Sequence, residues 1–331
     1  MSKLRDEIAE IPARVADALD QAAGAASALS ESLLQLRPKM VFTVAHGSSG
    51  AVAAYARALI SRNLGLPAAG IPPASPAFFG ARMFFPPSWL FAISQSGRSP
   101  DILDTVGAFN NTGTGPRFSI ALVNDTEAPL AELTDLTVDQ SAGVEQSVAA
   151  TKSVICSMAA MARMIGELTA DEALLSGLTA LPTTLEAALS QRADLNGLAA
   201  TGPTGLFVLG RSFSHPVAAE AALKLKETCL LPSEAVDGAE VMHGPKALVE
   251  PGFPILAFPP VGDAAEGFTK TIEHLAGLGA AITQIDPSPG QHEVIAPIEQ
   301  LTRFYAALPY LADQLGLDPD TARNLTKVTK T

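Results

Sequence analysis

Two clusters and two isolated side chains in this chain have residue types that could do chemistry. The first cluster is Ser94-Gln95-Ser96-Gly97-Arg98-Ser99, which follows the apolar run Trp89 to Ile93 and precedes a helix-like segment. Hydroxyls, an amide and the backbone N–H groups of a strand-to-helix turn, backed by the positive end of a helix dipole, make a cradle for an anion such as phosphate. The same letters also describe an ordinary Ser/Gly turn with an N-cap. In the second cluster Glu220, Lys224 and Glu227 fall at i, i+4 and i+7, so they share one helix face while Lys226 points elsewhere. That face is either a solvated salt-bridge stripe or a carboxylate and an ammonium held together for proton transfer. His243 sits in Glu240-Val-Met-His-Gly-Pro245, a turn stiffened by its Gly and Pro. Lys327 lies in a C-terminal segment, and neither it nor His243 is raised by spacing alone. Together these parts suit proton transfer beside a carbonyl, or imine chemistry on an amino sugar. No P-loop, dinucleotide-binding glycine fingerprint, zinc spacing or nucleophile elbow is present, so no cofactor and no metal are expected.

The elements that must position these residues are read from hydrophobic pattern. Residues 3 to 36 are rich in Ala and Leu, broken by Pro12 and ended near Pro38, which predicts two helices. Short apolar runs at 41–45, 68–71, 90–93, 118–123 and, more weakly, 136–138 read as strands alternating with helical patterns. Such alternation predicts a doubly wound parallel sheet. His46-Gly47-Ser48-Ser49-Gly50 then opens a helix after the first strand, a strand, a Gly/Ser turn and a helix in sequence.

The chain also repeats itself. Phe42-Thr-Val-Ala-His-Gly-Ser-Ser-Gly matches Phe207-Val-Leu-Gly-Arg-Ser-Phe-Ser-His at an offset of 165 residues, which also carries Leu90 to Ile93 onto Ile255 to Phe258 and Gly97 onto Gly262. Two copies of one α/β unit are expected, joined by helices over about 151–200. Where the first copy has Ser94, Gln95 and Ser96, the second has Pro259, Pro260 and Val261, so one phosphate site per chain is expected. His46 and His215 follow equivalent strands and could line the two clefts. The expected organisation is an N-terminal helical segment over 1–40, a first unit with connecting helices over 41–200, and a second unit with a C-terminal catalytic tail over 201–331.

Composition limits the partners. Lys and Arg total 22 against 34 Asp and Glu, a net charge of −12 that argues against nucleic acid or an anionic membrane surface. Cys156 and Cys229 lack metal-type spacing and read as reduced structural thiols, with no disulfide. The charged N-terminus is not a signal sequence, and no apolar run reaches the ~18 residues of a membrane span, so a cytoplasmic protein is expected.

At these residues the chain resembles the sugar isomerase (SIS) domain family, in particular the isomerase half of glucosamine-6-phosphate synthase and the stand-alone deaminase/isomerases. The resemblance covers nearly the whole chain. It rests on Glu7-Ile-Ala-Glu-Ile-Pro12, His46-Gly-Ser-Ser49, Ser94-Gln-Ser-Gly97, Ser147-Val-Ala-Ala-Thr-Lys152, Glu220 to Glu227, His243-Gly-Pro245 and Arg323-Asn-Leu-Thr-Lys327, in that order. It implies that Ser48, Ser49, Ser94, Gln95, Ser96 and Ser99 hold the phosphate of a hexose 6-phosphate, with Val148 and Ala150 near the sugar. It further implies Glu227 as the base between C1 and C2, Lys224 as the stabiliser of enolate-like charge, and His243, from the neighbouring subunit of a homodimer, as the ring opener. Lys327 would reach the open-chain carbonyl and could form an imine with it.

Three positions depart from the synthase pattern: Ala150 replaces a serine, Arg98 an acidic residue and Met242 a lysine. The first removes a hydroxyl from the sugar site. The chain begins Met-Ser-Lys with only 40 residues before the first unit, where the synthase carries its glutaminase domain. The expected reaction therefore runs from an amino-hexose 6-phosphate, glucosamine 6-phosphate first, to fructose 6-phosphate and ammonia. Aldose–ketose isomerisation, removal of another amine from the sugar, and a non-catalytic sugar-phosphate-binding regulator are the alternatives.

Overall fold

The computed structural model describes residues 2–72, 84–111, 115–200 and 205–327. Helices α1 (Lys3–Ala9) and α2 (Ile11–Leu36) come first, as two helices. Pro12 occupies the second position of α2, where its missing N–H would have had no helical partner in any case.

The first sheet contains β1 (Met40–Val44), β2 (Ala68–Gly70), β3 (Ser88–Ser94), β4 (Arg117–Val123) and β5 (Leu136–Asp139), all parallel, in the order β2-β1-β3-β4-β5. Every residue of β3 is buried, which is why it reads as one unbroken apolar run: a central parallel strand is covered on both faces. Helix α3 (Gly47–Leu64) follows β1, α4 (Pro100–Asn111) follows β3 and the short α5 (Pro129–Glu132) follows β4. Ile102, Val106 and Phe109 of α4 pack with Leu90, Ala92, Val123 and Leu130 in one core cluster. Helix α6 (Lys152–Thr169) packs against α3 and is buried along most of its length. A helical pattern expected between the second and third strands falls on 73–83, outside the described residues.

After α7 (Glu172–Ser190) the second sheet is built from β6 (Leu206–Gly210), β7 (Ser233–Asp237), β8 (Pro254–Phe258) and β9 (Ala281–Gln284), parallel and in the order β7-β6-β8-β9. Its helices are α8 (Ser214–Cys229), α9 (Ala265–Gly277) and α10 (Ala296–Gln314). Strands β7 and β9 carry no apolar run because they are the sheet edges, with burial on only part of each.

The repeat extends to backbone detail. Val44 lies opposite Ala92 and Leu209 opposite Ala257, the same register at the same offset. The left-handed residues coincide as well: Gly47 (φ 52°) with Ser212 (φ 56°), and Gly97 (φ 63°) with Gly262 (φ 81°). Compactness groups residues 13–145 and 152–178 around the first sheet, and 1–12, 146–151 and 179–327 around the second. Helix α1 and the loop 146–151 thus belong with the second sheet.

Candidate active site

A doubly wound parallel sheet opens a crevice where neighbouring strands send the chain off in opposite directions, beyond their carboxyl ends. In the first sheet that point lies between β1 and β3. After β1 the left-handed Gly47 turns the chain into α3, whose first turn holds Ser48 and Ser49. The His46 side chain does not cap that turn, and the positive end of the α3 dipole there favours an anion.

After β3, the Ser94 hydroxyl turns inward and accepts the Gly97 N–H at 3.1 Å, and the Ser96 hydroxyl accepts the Arg98 N–H at 3.3 Å. Gly97 is required on two counts. Its φ is left-handed, and a Cβ there would sit 2.6 Å from Ala128 Cβ and 2.8 Å from Val123 Cγ2. The turn is held from below as well: Leu130 N donates to Gly97 O and Asn124 N to Gln95 O, both at 3.2 Å. Ser99 ends the turn and accepts the Leu103 N–H, the opening bond of α4. The side chains of Ser49, Gln95 and Ser99 have no hydrogen-bond partner among the described residues. The two turns meet where His46 Nε2 lies 3.5 Å from Asp101 Oδ2. Arg98 points outward, paired with Asp125 at 2.7 Å, and holds that exposed carboxyl below the usual carboxylate range.

The matching point of the second sheet, between β6 and β8, is closed. The Ser214 hydroxyl, fully buried, lies 2.7 Å from Phe258 O and 3.0 Å from Arg211 O, and accepts the Arg211 N–H at 3.0 Å. Here the chain folds back so tightly that a Cβ on Gly210 would lie 2.3 Å from Ser214 O; the first sheet has Ala45 at that place. Pro259 and Pro260 follow β8 and have no N–H to give.

The residues Glu220, Lys224 and Glu227 lie together on α8, as the spacing requires, with Lys226 exposed on another face. They do not form a solvated stripe. Lys224 Nζ lies 3.3 Å from Glu220 Oε1 and 2.5 Å from Glu227 Oε2, and the side chains of Lys224 and Glu220 are 1% and 0% exposed against 19% for Glu227. Tyr305 Oη of α10 donates to Glu220 Oε1 at 2.8 Å. Burial alone would lower the Lys224 pKa, but the Glu220 and Glu227 carboxylates outweigh it and raise it, so Lys224 stays an ammonium. The row Tyr305–Glu220–Lys224–Glu227 runs from the interior outward, and its open end is a carboxylate. A partly exposed carboxylate held by one fixed ammonium is equipped to take a proton from carbon and return it to a neighbouring one.

The other predicted residues are less gathered. Val148 and Ala150 are half-buried in the loop 146–151. His243 is exposed in a short 3₁₀ turn, Glu240–His243, and nothing described brings it to Glu227. Lys327 is half-buried at the last described position, after a segment without regular structure. Cys156 and Cys229 are free and buried; burial pushes the Cys156 thiol up and the Cys229 thiol up to about 12, so neither is a nucleophile at neutral pH.

Several contributing residues carry no local sequence signal. Gln140 Nε2 donates to Ser94 O at 3.4 Å and Leu122 O at 3.0 Å, tying the ends of β3 and β4. Gln300 Nε2 does the same in the second sheet, to Pro259 O at 2.9 Å and Ile285 O at 2.7 Å. The acceptors Ser94 and Pro259 are again repeat equivalents, although the two glutamines come from different elements. Tyr305 stands 85 residues from Glu220, and only the fold brings them together.

A family model described as SIS domain matches residues 36–165. A solved structure of a protein from Silicibacter pomeroyi DSS-3, provisionally assigned as a phosphosugar isomerase, is 34% identical and superposes with a TM-score of 0.88 over 97% of this chain and 100% of that one. The glutamine–fructose-6-phosphate aminotransferase (isomerizing) of Thermococcus kodakarensis is 32% identical over 262 residues, 72% of this chain and 43% of the relative. The chain thus spans less than half the length of that curated relative. A glucosamine-6-phosphate deaminase from Thermotoga maritima shares the fold, with a TM-score of 0.74 over 95% of this chain and 99% of that one at 21% identity. No helix among the described residues is long and apolar enough to cross a membrane.

Proposed function

The chain belongs to the SIS domain family, and from that premise we propose that it is a phosphosugar isomerase that deaminates an amino-hexose 6-phosphate, with glucosamine 6-phosphate as the first substrate to test. The observation that carries the reading is the buried Glu220–Lys224–Glu227 row, whose only water-reaching member is the carboxylate of Glu227.

In this reading the turns at Ser48–Ser49 and Ser94–Ser99 bind the phosphate, and Val148 and Ala150 line the sugar. His243, exposed within its own chain, assists ring opening in the partner subunit of a homodimer. Glu227 removes the proton from C2 of the open-chain aldehyde, giving an enolamine, and returns it to C1. The resulting C2 imine takes up one water and releases ammonia, leaving fructose 6-phosphate. Lys224 keeps Glu227 oriented and supplies positive charge beside the developing oxyanion. Lys327 engages the carbonyl from the C-terminal segment. The two buried free thiols support a reducing, cytoplasmic setting.

The test is incubation with glucosamine 6-phosphate and, separately, galactosamine 6-phosphate, with ammonia and ketose phosphate measured independently. Equimolar ammonia and ketose phosphate from one of them is the expected result. No ammonia from either overturns the deaminase reading; turnover of a neutral hexose 6-phosphate would then make the protein an aldose–ketose isomerase, and binding without turnover a regulator.

A further inference from the structure

Helix α1 has only seven residues, yet each of its ends is joined to a segment that the proposed chemistry needs. At its start Asp320, in the C-terminal segment leading to Lys327, accepts the Ser2 hydroxyl at 3.0 Å, the Lys3 N–H at 2.8 Å and the Leu4 N–H at 2.9 Å. An N-terminal turn is ordinarily capped by its own neighbour; here Ser2 caps only Arg5, at 3.4 Å, and a carboxylate more than 300 residues away takes the rest. One turn further on, Glu7 is buried and accepts the Gln146 N–H and, within 3.2 to 3.3 Å, the Ser147 N–H. Those amides open the loop that carries Val148 and Ala150.

The helix is itself firmly seated. Leu4 and Ile8 are buried, and Arg5 pairs with Asp313 and lies 4.8 Å from the centre of the Tyr310 ring on α10. A carboxylate at either end is therefore tied to the other through a rigid body rather than a flexible chain. We infer that Glu7 and Asp320 are positioning residues which, through α1, hold the sugar-facing loop 146–151 and the Lys327 segment as one mechanical unit. Neither residue touches the reacting atoms, and the inference rests on the roles given above to Lys327 and that loop. The Asp320 carboxyl is held below the usual range, since the Leu4 and Lys3 N–H groups and the Ser2 hydroxyl outweigh the opposing effect of burial. It is thus ionised, and a strong acceptor, throughout the neutral range.

The arrangement predicts reciprocal loosening. In the full chain, Asp320→Asn should speed amide hydrogen exchange in the 318–327 segment and also at Gln146 and Ser147. Glu7→Gln, which keeps the side chain's shape but cannot accept both N–H groups equally, should speed exchange at 146–147 and also at 318–327. Turnover should fall roughly 10- to 100-fold in kcat, with KM and the affinity for inorganic phosphate unchanged, because the first-sheet turns are untouched. Asp320→Glu, which retains the carboxylate, should restore part of the lost kcat. Exchange confined to the segment next to each substitution would overturn the inference, as would a KM effect without a kcat effect. Should either variant fail to fold, Ser2→Ala removes one Asp320 donor alone and should give the same reciprocal exchange pattern at smaller amplitude; a purely local change would overturn the coupling. Hydrogen exchange needs no turnover, so a wild-type chain inactive on every sugar phosphate would defeat the functional proposal while the coupling was still decided.

Discussion

Over four strands the first and second sheets share one strand order, with the same register and left-handed residues at the same offset, yet their crevices differ in kind. At the end of β1 the chain has Ala45, and the Ser49 side chain has no hydrogen-bond partner among the described residues; at the end of β6 it has Gly210, and the equivalent Ser214 folds down to tie Arg211 and Phe258 together. Strand β3 ends in Ser94, followed by Gln95 and Ser96; beyond β8 stand two prolines and a valine. One crevice is lined by hydroxyl and amide side chains, while at the other Ser214 is bonded to the backbone, and the helix that follows it carries the Glu220–Lys224–Glu227 row. On the proposed function, the two repeats would thus divide binding from proton transfer. Fold alone would have assigned an anion site to both.

The largest effect is expected where this division is most exposed to test. Glu227→Gln should lower kcat by about 10²- to 10⁴-fold, the range for loss of a general base, while phosphate affinity stays within error of wild type. Loss of affinity instead would mean the two functions are not separate. The paired substitutions Gly97→Ala and Gly210→Ala come next. Gly97→Ala forces both a left-handed alanine and a clash with Ala128, costing roughly 2 to 5 kcal/mol of stability and abolishing phosphate binding. Gly210→Ala drives a Cβ to 2.3 Å from Ser214 O and 2.8 Å from His215 N, rigid backbone that must shift, costing roughly 3 kcal/mol or more with phosphate binding retained in the folded variant. Urea denaturation and phosphate titration on both variants check this, and equal binding losses would erase the contrast between the crevices. Ser96→Ala should weaken phosphate binding by about 1.5 to 3 kcal/mol if a charge-assisted hydrogen bond is lost. Replacing Pro259-Pro260-Val261 with Ser-Gln-Ser should create no second site, because Ser214 still closes the crevice; a second phosphate in a calorimetric titration would show that the donors alone decide.

The smallest effect concerns pH. The folded-state pKa of Asp320 is depressed, so the stability it contributes is present above the ordinary aspartate value of about 4 and is lost as pH falls through the lower folded value. Asp320→Asn should flatten the acid side of the stability–pH curve and leave its shape above pH ~5 unchanged, as followed by urea midpoints.

Much of the fold was legible because buried parallel strands announce themselves as apolar runs: β1, β3 and β4 did so, and the repeat then placed β6 and β8. Edge strands β7 and β9 did not, since Ser233–Asp237 and Ala281–Gln284 have too little buried surface to need a pattern. The spacing of Glu220, Lys224 and Glu227 fixed their shared face but left their burial open; packing and the Tyr305 hydroxyl from α10 turned a nominal surface stripe into an interior row. Glu7, Gln140, Gln300 and Asp320 were silent as chemistry for the same reason. Each acts on backbone groups remote in sequence, and a backbone N–H or carbonyl looks the same in every residue.

The claim that one crevice binds and the other does not is tested most directly by calorimetric titration with sorbitol 6-phosphate, which keeps the phosphate but has no carbonyl to react. The account predicts one site per chain, lost in Gly97→Ala and weakened in Ser96→Ala, and kept in Gly210→Ala and Glu227→Gln. Two sites per chain, or binding indifferent to Gly97 and Ser96, would contradict it.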